Sequence, residues 1–183
     1  IVLEGDEYLS SPMDRRPKFH LYQPNIALIS GIAWDHINVF PTYENYVEQF
    51  EIFIKLITNG GILVYNEDDA EVKRIAEAAT NPIRKLAYTT PKYKVENGIT
   101  LLETPEGNMP IEVFGAHNLN NLAGAKWICQ NMGVDEADFY DAIASFKGAS
   151  KRLEKIAESK TKVAYKDFAH SPSKVSATTK AVK

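Results

Sequence analysis

The sequence has a single cysteine, no long hydrophobic run and no excess of positive charge. Cys129 alone cannot form an internal disulfide, which favours a reducing compartment. No apolar run approaches the roughly 18 residues of a membrane-spanning helix, and no signal peptide is recognisable. The net charge of −3 argues against a nucleic-acid-binding module, whose surface is usually basic. We therefore expect a globular protein with neither a nucleic-acid partner nor a membrane partner.

Apolar runs suited to buried strands alternate with helical patterns in the first half of the chain. Strands are predicted over residues 1–4, 25–32, 60–66 and 83–89, and helices over 42–58 and 68–80. Asp68 is expected to cap the second helix, with Glu71 completing a capping box. This order predicts an α/β fold with a mostly parallel sheet and flanking helices.

The pattern changes after residue 90. Segments split by Asn97-Gly98 and by residues 105–107 predict a small antiparallel β meander. Helices are expected over 118–133 and 135–148, then a strand over 162–169 and a helix that starts at Ser171-Pro172. We place a domain boundary between residues 1–157 and 158–183, where the first β-α of another α/β domain would begin. Both ends interrupt predicted elements, so we expect a piece of a longer protein.

Acidic residues and a histidine follow two of the predicted strands. Glu4 ends the first strand, and Asp35-His36 follows the second. Ligands of parallel α/β sheets bind outside the carboxyl ends of the strands, so Glu4 and His36 would converge if these strands were neighbours. A carboxylate with an imidazole suits a divalent metal, and the imidazole by itself favours a transition metal over magnesium. The alternative is a solvated loop in which Asp35 caps a turn.

Polar residues open the helix of the "GAHNLNNLAGA" stretch. His117 and Asn118 stand at its start, and Asn121 follows three residues after Asn118 on the same face. Such groups could contact a base or a ribose. The alternative is an Asn N-cap followed by a solvated first turn.

Three further polar residues lie nearer the C-terminus. Arg152 follows a helix that ends at Gly148, and it could reach a phosphate or remain solvent-exposed. Asp167 ends a predicted strand, and His170 stands beside a helix N-terminus, a position that favours anions. The alternative for this pair is a strand-end carboxylate with a bystander histidine.

The order of these motifs resembles the Mur ligase family of ATP-dependent, amide-forming ligases of bacterial cell-wall synthesis. The successive stretches are "LEGDEY", "WDH", "GAHNLNNLAGA", "FKGASKRLE" and "DFAHSP", and the resemblance covers essentially the whole chain. It implies the central ATP-binding domain of the family, lacking its N-terminal part, followed by the start of the C-terminal domain. It also implies a bacterial, cytoplasmic protein.

The family pattern implies a role for each matching residue. Glu4 and His36 match magnesium ligands, which replaces the transition metal by Mg²⁺ and makes both residues catalytic. The residues that match ATP-binding positions are His117, Asn118, Asn121, Arg152 and Asp167. His170 matches the first histidine of a substrate-binding pair, whose second position is Ser171 here.

Two other departures concern features that family members carry and this sequence lacks. Several members carry a carbamylated lysine on the helix after the Asp-His pair, where this chain has Gln49 and Phe50, so we expect no such group. The glycine-rich phosphate-binding loop, Gly-x-x-x-x-Gly-Lys, does not occur between residues 1 and 183. We therefore expect the chain by itself to have no ligase activity.

Within the family, "EGDEY", "MDRRPKF" and "WDHINVFPTYENYVEQF" most resemble the ligases of peptidoglycan recycling. These join the carboxylate of UDP-N-acetylmuramate to the amine of the murein tripeptide L-Ala-γ-D-Glu-meso-diaminopimelate. Arg15 and Arg16 would then pair with the tripeptide's carboxylates. One alternative is a ligase that adds L-alanine to UDP-N-acetylmuramate. Another is a non-catalytic nucleotide-binding module of the same architecture, although every expected polar residue is present.

Overall fold

The computed structural model describes residues 1–182 and has an α/β fold. The chain divides into two compact units, the first spanning Ile1–Thr89 and the second starting at Thr90. The predicted boundary after residue 157 stays a prediction.

The first unit contains the parallel sheet that the sequence predicts. Its elements are a 3-10 helix (Lys18–Leu21), β1 (Ile26–Ile29), α1 (Tyr43–Lys55), β2 (Ile62–Asn66), α2 (Ala70–Ala78) and β3 (Arg84–Tyr88). The strands lie in the order β1-β2-β3, and both pairings are parallel. The carboxyl ends of the three strands therefore lie at one edge of the sheet.

The core of this unit forms between the sheet and its helices. Ile54 of α1, Leu63 of β2 and Val72 of α2 are each at most 1% exposed. Burial of such a side chain stabilises the fold by about 1.5–3 kcal/mol. The apolar spacing of α1 buries Tyr46 and Val47 on the same side, and the Thr42 hydroxyl caps the helix by accepting a hydrogen bond from Asn45 N (3.1 Å).

Two local predictions in this unit are wrong. Residues 1–4 do not form a strand, and Ile1, Val2 and Leu3 are exposed. This segment pairs with no strand in the described part of the chain, although β1 lies at the edge of its sheet. The cap of α2 is Asp69 rather than Asp68, and Asp69 Oδ1 accepts hydrogen bonds from the backbone amides of Glu71 and Val72 (both 3.0 Å).

The second unit begins with the predicted meander. Its elements are β4 (Tyr93–Glu96), β5 (Ile99–Thr104), β6 (Gly107–Ile111), α3 (Ala116–Asn131), α4 (Glu136–Ala144), β7 (Glu154–Glu158), β8 (Val163–Lys166) and α5 (Pro172–Ala181). The β4, β5 and β6 strands pair antiparallel in that order. Asn97 and Gly98 form the first turn with φ of 51° and 78°, a conformation that both residue types tolerate. Leu102 and Leu119 lie in the core that joins the meander to α3.

The last part of the chain contains the predicted strand and helix. The strand β8 pairs with β7 in an antiparallel hairpin, so position 157 lies within a paired strand. Ser171 and Pro172 stand at the N-cap and first position of α5, as predicted. Ser171 makes no side-chain capping hydrogen bond there.

Candidate functional site

Two side chains, one at the end of β2 and one at the start of α2, fix the loop that follows β1. The Asn66 side-chain amide donates to the carbonyl oxygen of Ser30 (2.9 Å), and Asn66 is only 8% exposed. Asp69 Oδ2 accepts a hydrogen bond from the backbone amide of Ile32 (3.0 Å). The chain that leaves β1 toward His36 is thus anchored at two points before it enters the candidate site.

His36 has a backbone conformation that is unusual for a residue with a side chain. Its φ of 55° lies in the left-handed region, which is sparsely populated except by glycine and which occurs often at functional sites. Hydrogen bonds support it, because the backbone amides of Val39 and Phe40 donate to the His36 carbonyl (2.8 and 2.9 Å) and Asp35 Oδ1 accepts from the His36 amide (2.8 Å). The ring of Tyr8 packs edge-on against the imidazole, with centroids 5.0 Å apart.

The carboxylate beside His36 belongs to Glu7. His36 Nε2 lies 3.2 Å from Glu7 Oε1, and the same oxygen lies 3.4 Å from the Tyr46 hydroxyl. Glu4, the carboxylate that the sequence predicts here, is exposed and lies outside any strand. The condition for Glu4 and His36 to converge, two neighbouring strands, is therefore not met, because the first of those strands does not form. The metal-binding role of Glu4 stays a prediction.

The residues around His36 could supply the one or two protein ligands that a magnesium site requires. No group of three or more His, Cys, Asp or Glu side chains suited to a metal occurs within residues 1–182. Magnesium does not require one, since it keeps several waters and is usually held by one or two carboxylates together with substrate phosphates. His36 and Glu7 are 31% and 25% exposed, so water and a phosphate could reach them.

The predicted nucleotide residues lie in the second unit. Gly115, at φ 86°, precedes α3, and a Cβ there would approach Ala181 Cβ to 2.6 Å. Conformation and space therefore both favour glycine at this helix start. Asn118 donates through its side chain to the Phe114 carbonyl (2.9 Å), and Asn121 is exposed on the same helix.

Asp167 lies near His117 and has a free oxygen. Burial lowers the pKa of His117, and the negative charge of Asp167 partly opposes that shift. Asp167 Oδ1 accepts hydrogen bonds from the amides of Phe168 (2.9 Å) and Leu153 (3.4 Å). Asp167 Oδ2 is buried and has no hydrogen-bond partner among the described residues. A buried carboxylate oxygen is costly without a donor, so this atom favours a ligand that supplies one.

Arg152 lies in a strained loop that contacts Asp167. Its neighbours Lys151 and Leu153 have φ of 59° and 50°, and such values are unusual for a bulky residue like Leu153. The Phe168 amide donates to the Lys151 carbonyl (2.8 Å), which joins the loop to the segment that carries Asp167. The Arg152 side chain is exposed.

The residues that the sequence predicts to bind substrate belong to both units. His170 is exposed, and its Nδ1 lies 2.9 Å from the Phe168 carbonyl oxygen. In the first unit, Arg16 forms a forked ion pair with Asp14, with contacts of 2.7 and 3.0 Å. Arg15 is exposed, and no ion pair involving it occurs in the described part of the chain. Substrate binding by His170, Arg15 and Arg16 stays a prediction.

Sequence reasoning missed Glu7, Tyr46 and Asp69 as site residues. Glu7 belongs to the quoted "EGDEY" stretch, and its acidic character was the available signal. Tyr46 is indicated by the sequence only as an apolar position of α1. Asp69 stands next to Asp68, and the contact with Ile32, 37 residues away in the chain, distinguishes the two.

Comparison with known proteins gives consistent matches. The family model described as "Mur ligase middle domain" matches residues 7–129.

In the described part of the chain, no helix has the length and apolar character required to cross a membrane.

Two curated relatives match the whole chain. One is the UDP-N-acetylmuramate–L-alanyl-γ-D-glutamyl-meso-2,6-diaminoheptandioate ligase of Escherichia coli K12, which is 27% identical over 195 residues. The other is the UDP-N-acetylmuramate–L-alanine ligase of Porphyromonas gingivalis (ATCC 33277), which is 30% identical over 202 residues. The chain spans 42% and 41% of their respective lengths.

A solved structure supports the fold. The crystal structure of MurF from Acinetobacter baumannii matches with a TM-score of 0.74 over 88% of this chain and 38% of that one. The two sequences are 19% identical, so this likeness concerns the fold alone.

Proposed function

The chain belongs to the Mur ligase family, and on that premise we propose that the full-length protein is an ATP-dependent ligase of peptidoglycan recycling. It would join the carboxylate of UDP-N-acetylmuramate to the amine of L-Ala-γ-D-Glu-meso-diaminopimelate. The named activity of the E. coli relative, which matches the whole chain, supports this choice.

The reaction has two steps in this proposal. The carboxylate of UDP-N-acetylmuramate attacks the γ-phosphate of ATP, releasing ADP and forming an acyl phosphate. The tripeptide amine then attacks the acyl carbon, phosphate leaves, and the amine loses a proton. Catalysis of this kind depends mainly on positioning and on electrostatic stabilisation of the transferred group.

The residues of the first unit would act at the phosphoryl group. His36 would hold Mg²⁺ together with a carboxylate, for which the sequence proposes Glu4 and the geometry offers Glu7 at 3.2 Å from the imidazole. Bound magnesium supplies Lewis-acid stabilisation of negative charge. The two anchors on Ser30 and Ile32 would limit movement of the loop that carries His36.

The residues of the second unit would bind the nucleoside part of ATP. The unpartnered Oδ2 atom of Asp167 is the observation that best supports this site, because a ribose hydroxyl could donate to it. The negative charge of Asp167 acts on the pKa of His117, and Arg152 lies in the loop whose backbone contacts Asp167. Asn118 and Asn121 on α3 would contact the base.

Asp167→Asn tests the nucleotide site in the full-length enzyme. Asparagine keeps an acceptor for the Leu153 and Phe168 amides but replaces the free oxygen by a donor. We expect KM for ATP to rise about 10-fold or more, with an unchanged circular dichroism spectrum. Asp141→Asn, an exposed change on α4, is the matched control. An unchanged KM for ATP in Asp167→Asn would contradict the assignment.

A second candidate is the ligation of L-alanine to UDP-N-acetylmuramate, which the name of the P. gingivalis relative supports. A comparison of kcat/KM for the tripeptide and for L-alanine distinguishes the two. The first proposal predicts a preference for the tripeptide. A preference for L-alanine would establish the second candidate instead.

A further inference from the structure

We propose that Glu7 is a positioning residue that orients the imidazole of His36 while being held itself by the buried Tyr46 hydroxyl. The inference rests on the proposed function, in which His36 belongs to the magnesium site. It assigns Glu7 a role separate from that of Glu4, because Glu7 acts through the histidine.

One carboxylate oxygen joins the three residues. Glu7 Oε1 lies 3.2 Å from His36 Nε2 and 3.4 Å from the Tyr46 hydroxyl. Both nitrogen and hydroxyl can donate to it, so a neutral imidazole in this contact carries its proton on Nε2. The lone pair of Nδ1 is then the one available to a cation.

The core of the first unit holds Tyr46 in place. It is 3% exposed, and its ring packs against Phe40 and Phe50 with centroids 5.3 and 5.2 Å away. Its hydroxyl donates to Glu7 Oε1 at 3.4 Å. The core of the first unit thereby fixes the position of a carboxylate that is itself partly open to solvent.

His36 needs such a partner. It lies on an irregular segment between β1 and α1, at a φ of 55°. Its side chain is 31% exposed and contacts the ring of Tyr8 on one side, which does not fix the rotation of the imidazole. Histidines that bind metals in proteins usually donate their second N–H to a carboxylate or carbonyl, which sets the tautomer and the ring orientation. The Glu7–His36 contact has this form.

The imidazole N–H of His36 can be observed directly by NMR in the 183-residue chain labelled with ¹⁵N. A resonance lost in His36→Gln identifies it among those of the other histidines. We expect the Nε2–H of the wild-type chain to exchange slowly with water. Glu7→Gln should retain the signal, because its amide oxygen still accepts, and Glu7→Ala should lose it. Tyr46→Phe should speed its exchange several-fold.

Glu4→Ala is the control, since no hydrogen bond or ion pair joins Glu4 to His36 in the described part of the chain, and the His36 signal of this variant should match the wild type. The His20 imidazole, whose Nε2 lies 2.8 Å from the Gln49 carbonyl oxygen, reports whether each variant keeps the fold of the first unit. A His36 signal retained in a folded Glu7→Ala chain, or absent from the wild type, would overturn the proposal.

A titration with MnCl₂ separates this proposal from the magnesium assignment. If Glu7 positions His36, Glu7→Gln should keep Mn²⁺ affinity close to the wild type, whereas Glu7→Ala should weaken it about 10- to 100-fold. Equal losses in both variants would make Glu7 a direct ligand and overturn the positioning role. Unchanged Mn²⁺ binding in His36→Ala would contradict the metal assignment, while the N–H signal would still decide whether Glu7 orients His36.

Discussion

Asp69 Oδ2 accepts a hydrogen bond of 3.0 Å from the backbone amide of Ile32, which joins the N-cap of α2 to the loop after β1. The other oxygen of the same carboxylate caps α2. Asp69→Ala removes both functions, so we expect it to lower the free energy of unfolding by about 1–3 kcal/mol. Urea denaturation of the 183-residue chain measures this change.

Asp135→Ala is the matched control for Asp69→Ala. Asp135 also occupies a helix N-cap position, but its side chain makes no capping hydrogen bond. Its replacement should change the free energy of unfolding by less than about 0.5 kcal/mol. Equal losses in the two variants would mean that neither the capping hydrogen bonds nor the Ile32 contact of Asp69 contributes to stability.

His117 should make the stability of the second unit depend on pH. Burial lowers its pKa from 6.5 in the folded chain, despite the opposing charge of Asp167. Below pH 6.5 the unfolded chain therefore binds more protons at this residue than the folded chain does. The free energy of unfolding should fall as the pH drops through this range, and His117→Gln should reduce that dependence.

The two tryptophans allow this to be measured in the second unit by itself. Trp127 is on α3, so its fluorescence in a Trp34→Phe background follows that unit. Urea unfolding at about pH 5.5 and about pH 7.5 gives the pH dependence. His170→Gln, which changes an exposed histidine, should leave it unaltered. The same pH dependence in His117→Gln as in the parent would refute the prediction.

The parallel sheet could be predicted because its strands are short apolar runs separated by amphipathic helices. The Ile62–Asn66 strand, for example, buries both faces, and such strands show continuous rather than alternating hydrophobicity. The "IVLE" run has the same local character but forms no strand. This run shows that an apolar composition indicates the capacity to pair and does not by itself produce pairing, even where β1 lies at the edge of a sheet.

The candidate site was predictable in its residue types but not in its contacts. The acidic "EGDEY" stretch and His36 were recognised, but Glu7 rather than Glu4 contacts the imidazole. That contact crosses 29 residues of sequence and depends on how the irregular segment after β1 turns back. Tyr46 could be predicted only as a core position, since helical spacing indicates which face of a helix is buried. It does not indicate which residue the tyrosine hydroxyl contacts.

Arg15 should contribute more than Arg16 to selection of the tripeptide. The guanidinium of Arg16 is already paired with Asp14, which lowers the pKa of Asp14 to about 2, so Arg16 is less available to a substrate carboxylate. In the full-length enzyme, Arg15→Ala should lower the ratio of kcat/KM for tripeptide to that for L-alanine by about 10-fold.

Arg84→Ala is the control for this experiment, because Arg84 is an exposed arginine on β3. It should leave the substrate ratio unchanged. If the tripeptide is preferred but Arg15→Ala also leaves the ratio unchanged, the basic loop takes no part in selection and the substrate proposal itself still stands.

The 183-residue chain should bind ATP weakly by itself. It contains no glycine-rich phosphate-binding loop, so the strongest contacts to the triphosphate are missing from it. We expect contacts to the nucleoside part to give a dissociation constant no tighter than roughly millimolar. This corresponds to a binding free energy of about 4 kcal/mol. Isothermal titration calorimetry measures it, and micromolar binding would contradict this expectation.

Ligation by the full-length enzyme and its His36→Ala variant tests the central claim most directly. The wild type should form ADP and the amide product only when UDP-N-acetylmuramate and an amine substrate are both present. His36→Ala should remain folded and lose at least ~100-fold in kcat at saturating magnesium, because it removes a stabiliser of charge in phosphoryl transfer. Glu4→Ala, measured beside it, tests the predicted second ligand. Wild-type turnover in His36→Ala, or no amide product with either amine, would contradict the account.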